Sequence, residues 1–229
     1  MAMPRRAWLF LIPVVAAGSL VALWAILTWR SPDPVEFGLA TCLGLLVSAH
    51  KIQLPRLTAT ISGGFAFVLF AAALFDSQGT VILALIVALA QTVWRPATRP
   101  KWYQIAFNGA NIALCAGLAD AASALAGTGG SAARMAFAGL LLFLANTLSV
   151  SVIGCLASTQ PLASIWEACR WWAAPYYMAG GILAGALASG DPQSALLRAL
   201  ALAASLTAIS RFYGRAVSYV SLRSGTVVP

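Results

Sequence analysis

The stretch Trp8–Trp29, WLFLIPVVAAGSLVALWAILTW, runs for 22 residues without a charge. As a helix rising 1.5 Å per residue it spans about 33 Å, enough for the roughly 30 Å hydrocarbon core of a bilayer. Arg5 and Arg6 lie just ahead of it, and Arg30 closes it. Two arginines before an apolar run resemble the n-region of a signal peptide. The run is longer than the 7–15 residues or so of a typical signal core, so an uncleaved anchor is expected.

Outward from this stretch the same texture continues. Seven further apolar blocks follow: Val35–Ala49, Ala59–Phe75, Thr80–Trp94, Trp102–Ala126, Ala133–Ala157, Trp171–Ser189 and Ala195–Ser210. Composition agrees, with 61% hydrophobic residues and only 9% charged. A soluble domain carries about 25% charged residues, and a chain this poor in them has no polar surface to show water. The fold class expected is therefore all-α, a polytopic transmembrane bundle of about eight spans. The second to fourth blocks fall short of a full span, which leaves six or seven open. Residues 1–210 form the transmembrane domain, and 211–229 form the end of the last helix and a disordered tail.

Turn signals separate the blocks. They are Ser31-Pro32-Asp33-Pro34, the Gly-rich piece Gly127–Ser131, and Asp191-Pro192. Alternating sides, with the N-terminus inside, puts Arg5, Arg6, Lys51, Arg56, Arg95, Arg99, Lys101, Arg170, Arg211, Arg215 and Arg223 inside. Only Arg30, Arg134 and Arg198 fall outside. Asp33, Glu36, Asp76, Asp120 and Asp191 fall outside, and Glu167 inside. That asymmetry places both termini in the cytoplasm. Trp29, Trp94, Trp102, Trp166, Trp171 and Trp172 stand at or near block ends, as an aromatic belt requires.

The formal net charge of +8 would raise nucleic acid as a partner for a soluble chain. Here the basic residues sit in short loops, so they read as topology determinants and contacts to membrane lipids, with no nucleic acid as partner. Cys42, Cys115, Cys155 and Cys169 show no metal-ligand spacing, and His50 is the single histidine. No metal, cofactor or catalytic residue is expected.

Polar residues within the blocks carry the candidate site. Asn108 and Asn111 share one face of the fifth block, and Asn146 lies in the sixth. A lipid-facing amide is costly, so both Asn108 and Asn111 are expected to face the bundle. Antiparallel neighbours put Asn111 and Asn146 about 3 Å apart in depth, which makes them the pair for direct contact. They either join helices or line a ligand pocket. Asp120 lies about half a turn round from Asn111, near the outer end, and reads as interfacial. Arg198 is close to a helix start, so it can snorkel. Gly181 and Gly185 form a GxxxG spacing that lets two helix backbones approach, and Ser62-Gly63-Gly64 offers the same.

The order of several short motifs resembles a known family. Lys51-Ile52-Gln53-Leu54-Pro55-Arg56 precedes Ser62-Gly63-Gly64-Phe65-Ala66-Phe67. Then come Gln91, the basic loop Arg95–Lys101, Phe107-Asn108, and Leu144-Ala145-Asn146-Thr147. From about Pro34 to Arg215 this resembles the N-terminal multi-pass membrane sensor modules of bacterial HD-GYP and GGDEF signalling proteins. In that family the last helix leads into an output domain acting on cyclic di-GMP, and no such domain is found here. The resemblance implies a non-enzymatic module of the bacterial inner membrane that signals through a separate cytoplasmic partner. The alternative is a small-solute transport component, a substrate-binding subunit of a larger carrier.

Overall fold

The computed structural model describes residues 3–30, 33–53, 60–94, 96, 99–125, 131–158, 160–189 and 195–223. Several expected features lie outside these: Ser31-Pro32, Leu54–Arg56, Arg95, the turns at 127–130 and 191–192, the side chain of Trp172, and the tail from 224 onward.

Among the described residues eight helices follow in chain order: α1 (Arg5–Thr28), α2 (Pro34–Ser48), α3 (Gly64–Leu74), α4 (Ser77–Val93), α5 (Trp102–Leu125), α6 (Ser131–Ala157), α7 (Leu162–Ala188) and α8 (Ala195–Arg223). The all-α class stands. Four helices are long and apolar enough to cross a membrane: α1, α5, α6 and, over Leu196–Ala216, α8. The remaining apolar segments are shorter, 10–17 residues.

The starts of α2 and α4 follow from capping chemistry. The Asp33 carboxylate accepts from Val35 N and Glu36 N, both at 3.0 Å, and Pro34 occupies the first helical position. Asp76 accepts from Gly79 N at 2.7 Å. That cap moves the start of α4 to Ser77, ahead of the expected Thr80. At α7 the helix starts at Leu162, nine residues before the expected Trp171, because Pro161 directly precedes a stretch with no breaker.

The block expected at Ala59–Phe75 is not one helix. Thr60–Ser62 is a strand, β2, paired antiparallel with β1 (Lys51–Gln53) in the register Lys51↔Ser62, Ile52↔Ile61, Gln53↔Thr60. The helix proper, α3, has 11 residues and rises only about 16 Å, half a hydrocarbon core. Its sequence GFAFVLFAAAL is apolar on every side, and a helix of that kind belongs in the interior. Every residue from Gly64 to Ala71 is buried. It packs against α2, α4, α5, α6 and α7, so the shortest helix is the centre of the bundle.

Polarity runs opposite to that of a soluble protein. Leu9, Leu20 and Leu27 on α1, with Leu118, Leu148, Leu197 and Phe212, are exposed, while Thr41, Ser48, Thr80, Asn111, Thr147 and Ser151 are buried. An apolar exterior over a partly polar interior suits lipid as solvent.

Contacts between helix ends show that the chain threads up and down. At one end, Arg6 of α1 donates to Leu156 O and Ser158 O past α6, at 2.9 and 2.8 Å. The Lys51 ammonium donates to Trp94 O after α4. Trp8 packs on Trp102 and Tyr103 at the start of α5. At the other end, Trp29 packs on Phe37 and Phe37 on Phe75. There too Ser77 Oγ donates to Asp120, and Arg198 Nη1 donates to Ala188 O at 2.8 Å. Successive helices therefore alternate in direction. The first end gathers Arg5, Arg6, Lys51, Arg99, Lys101 and Arg170 with Glu167; the second gathers Asp33, Glu36, Asp76 and Asp120 with Arg30, Arg134 and Arg198.

Arg198 is buried and turns to the Ala188 carbonyl at the C-terminus of α7, where a cation meets the negative end of the helix dipole. Asp120 is partly buried and is held by Ser77 at the acidic end.

The GxxxG spacing works as a packing device. A Cβ on Gly181 would stand 2.4 Å from Met135 O, and one on Gly185 2.4 Å from Ser131 O. Ser131 Oγ donates to Gly185 O at 2.8 Å. One turn further along, a Cβ on Gly139 would stand 3.0 Å from Tyr177 O. The steps Ser131·Gly185, Met135·Gly181 and Gly139·Tyr177 form an antiparallel ladder with a four-residue period on each helix.

Candidate functional site: a buried amide–phenol chain

Asn111 on α5 and Asn146 on α6 meet. Asn111 Nδ2 donates to Asn146 Oδ1 at 2.8 Å, and Asn111 is 3% exposed. Pairing satisfies a donor and an acceptor that water cannot reach. The second step is longer: Asn146 Nδ2 donates to the Tyr177 hydroxyl at 3.4 Å. On the other side, Cys115 Sγ lies 3.8 Å from Asn111 Oδ1, one turn along α5. The chain Cys115–Asn111–Asn146–Tyr177 thus links α5, α6 and α7 through neutral groups.

Aromatic rings carry the chain to the centre. The Tyr177 ring stacks on Phe65, the second residue of α3, at 4.0 Å between centroids and 17° between planes. Phe65 also meets Tyr176 edge-on at 5.3 Å. Gly180 makes the room, since a Cβ there would stand 2.6 Å from Phe65 Cζ. The Tyr176 hydroxyl pairs with Ser210 Oγ of α8 at 2.7 Å, and its ring packs on Tyr213 at 5.5 Å. Phe65 is therefore the hinge between two polar contacts, one leading to α5 and α6, the other to α8.

Asn108 departs from expectation. It is exposed, and its amide reaches sideways to Thr92 Oγ1 of α4 at 3.2 Å. Three residues along a helix turn the side chain back by about 60°, enough to move Asn108 from the buried face to its rim. Thr92, near the basic end of α4, gives the amide a partner there. Of the three asparagines, the structure brings together Asn111 and Asn146 and leaves Asn108 apart.

Tyr176, Tyr177, Phe65 and Ser210 were not among the candidates read from sequence. The available signal was two tyrosines inside an apolar block, each with a hydroxyl that needs a partner when buried. The site can hold and orient by hydrogen bonds; Asn, Tyr and Ser are its polar groups. Among the described residues no group of three His, Cys, Asp or Glu side chains gathers as a metal would require, and the four cysteines are free. No protein-family model, curated protein or solved structure matches the chain.

Proposed function

We propose that the chain is a non-enzymatic multi-pass protein of a bacterial inner membrane, and that it acts as a sensory or interaction module signalling through a separate cytoplasmic partner. Kinship with the membrane sensor modules of HD-GYP and GGDEF proteins is part of this proposal. Alternating crossings with the basic end in the cytoplasm are part of the proposal, an orientation that the positive-inside rule favours for the two ends described above.

One observation carries the reading. The polar contacts of α5, α6 and α7 meet those of α8 on a single side chain, Phe65, through Tyr177 and Tyr176. A change at Asn111 or Asn146 shifts Tyr177, and Phe65 cannot follow without moving Tyr176 and its partner Ser210. Immediately beyond Ser210, α8 continues to Arg223 through Arg211 and Arg215. Its 29 residues extend about 43 Å, more than a hydrocarbon core of roughly 30 Å. The surplus is a basic helix end suited to anionic headgroups and to a partner.

The test uses spin labels at positions 99 and 215, both at the basic end. Asn111→Leu and Tyr176→Phe should each shift the distance distribution between the labels. Distributions that superimpose on the parent protein's would remove the basis for signal transmission.

The half-length central helix favours a second reading, a small-solute transport component, because short internal helices with buried ends recur at transport sites. Solute uptake by proteoliposomes holding the purified protein would favour that reading over the first.

A further inference from the structure

The start of α3 combines features that belong to an anion site. A helix N-terminus presents free N–H groups and the positive end of its dipole. At α3 this end is buried, and Gly63, at the capping position, supplies no side-chain acceptor. Ala66 N turns to Gly63 O at 3.1 Å, which leaves the N–H groups of Gly64 and Phe65 facing out of the helix start. Beside them is Ser62, 4% exposed, whose Oγ has no hydrogen-bond partner. That oxygen lies 3.6 Å from where a Cβ on Gly64 would stand, so it is aimed at the first turn. A buried hydroxyl with its bond unmade calls for an ion or water to complete it.

Charge of the right sign is adjacent. Lys51 is the register partner of Ser62 across the hairpin, so the two side chains project from the same face of the strand pair. Its ammonium donates to Trp94 O and meets no carboxylate within ion-pair distance among the described residues. Partial burial pushes the Lys51 pKa down.

We propose that the N-terminal turn of α3 binds a small monovalent anion, a halide or a short carboxylate, with Ser62 Oγ and the Gly64 and Phe65 N–H groups donating to it and Lys51 balancing its charge. Packing limits its size. A Cβ on Gly63 would stand 2.6 Å from Val47 Cγ1, and one on Gly64 2.6 Å from Val87 Cγ1. Packing this close leaves no place for a phosphodiester headgroup, and a small ion must seat itself against the backbone N–H groups. The site is independent of whether α8 carries a signal.

The full-length protein in detergent, exchanged into gluconate, should be titrated with chloride or formate at constant ionic strength while melting temperature and tryptophan fluorescence are read. A saturable rise in melting temperature is expected, with no such rise for phosphate. Ser62→Ala removes a hydrogen bond to a charged group and should move the midpoint up by about tenfold. Ser62→Thr, which keeps the hydroxyl, should stay near the parent. Lys51→Met keeps Ser62 and carries the test if Ser62→Ala does not fold; its midpoint should also rise. An unchanged midpoint in either variant, or an equal response to phosphate, overturns the proposal.

Discussion

Gly181→Ala adds a single methyl group, and its effect can be worked from the geometry. The new Cβ would stand 2.4 Å from Met135 O and 3.0 Å from Met135 C. Ordinary contact begins at 3.4 Å, so α6 and α7 must separate locally by about 1 Å. The obstacle is backbone, so no rotamer change relieves it. Overpacking of this kind costs about 1–3 kcal/mol, and the better helix propensity of Ala offsets about 1. A net loss of up to about 2 kcal/mol remains, or a melting temperature lower by roughly 4–8 °C for a chain of this size. Gly38→Ala on α2 is the control, because a Cβ there meets nothing within 4 Å. It should leave stability unchanged or raise it by up to about 1 kcal/mol. Thermal unfolding of both variants in one detergent provides the comparison. A Gly181→Ala protein as stable as the parent would refute the close α6–α7 ladder.

Other outcomes follow from the polar contacts. Asn111→Leu should lower stability by about 0.6–1.7 kcal/mol, because it leaves Asn146 Oδ1 without its donor, whereas Asn108→Leu at the exposed rim should cost clearly less; equal losses in thermal unfolding would contradict the split between the two. On the non-enzymatic reading proposed above, the purified protein should turn over no nucleotide, cyclic di-GMP included, and hydrolysis or synthesis that survives stringent purification would overturn it.

Much of this architecture was legible in the sequence because lipid imposes a coarse rule. Long uncharged blocks become helices, and charges collect between them. Asn111 and Asn146 could be paired in advance from depth alone, since antiparallel helices fix their relative height. Gly181 and Gly185 were legible for a similar reason, as close backbone approach has a four-residue period. The block at Ala59–Phe75 was not. Three-residue strands are too short to show an alternation, and an apolar helix looks the same whether it faces lipid or the bundle. The start of α7 was hidden because Glu167 and Arg170 make its first turns look like a loop. Asn108 was misplaced because a shared face is broad, and only the position of Thr92 decides which side of it an amide takes. Phe65 could not be found at all from sequence: its importance lies in touching Tyr176 and Tyr177 together, which depends on the packing of α3 against α7.

Topology reporters measure the threading of the chain most directly. Fusions placed within 95–101 and after Pro229 should report cytoplasm, and fusions within 127–130 and 190–194 should report the periplasmic side. Cytoplasmic signal from 127–130, or a periplasmic C-terminus, would contradict the proposed alternating topology with the basic end inside.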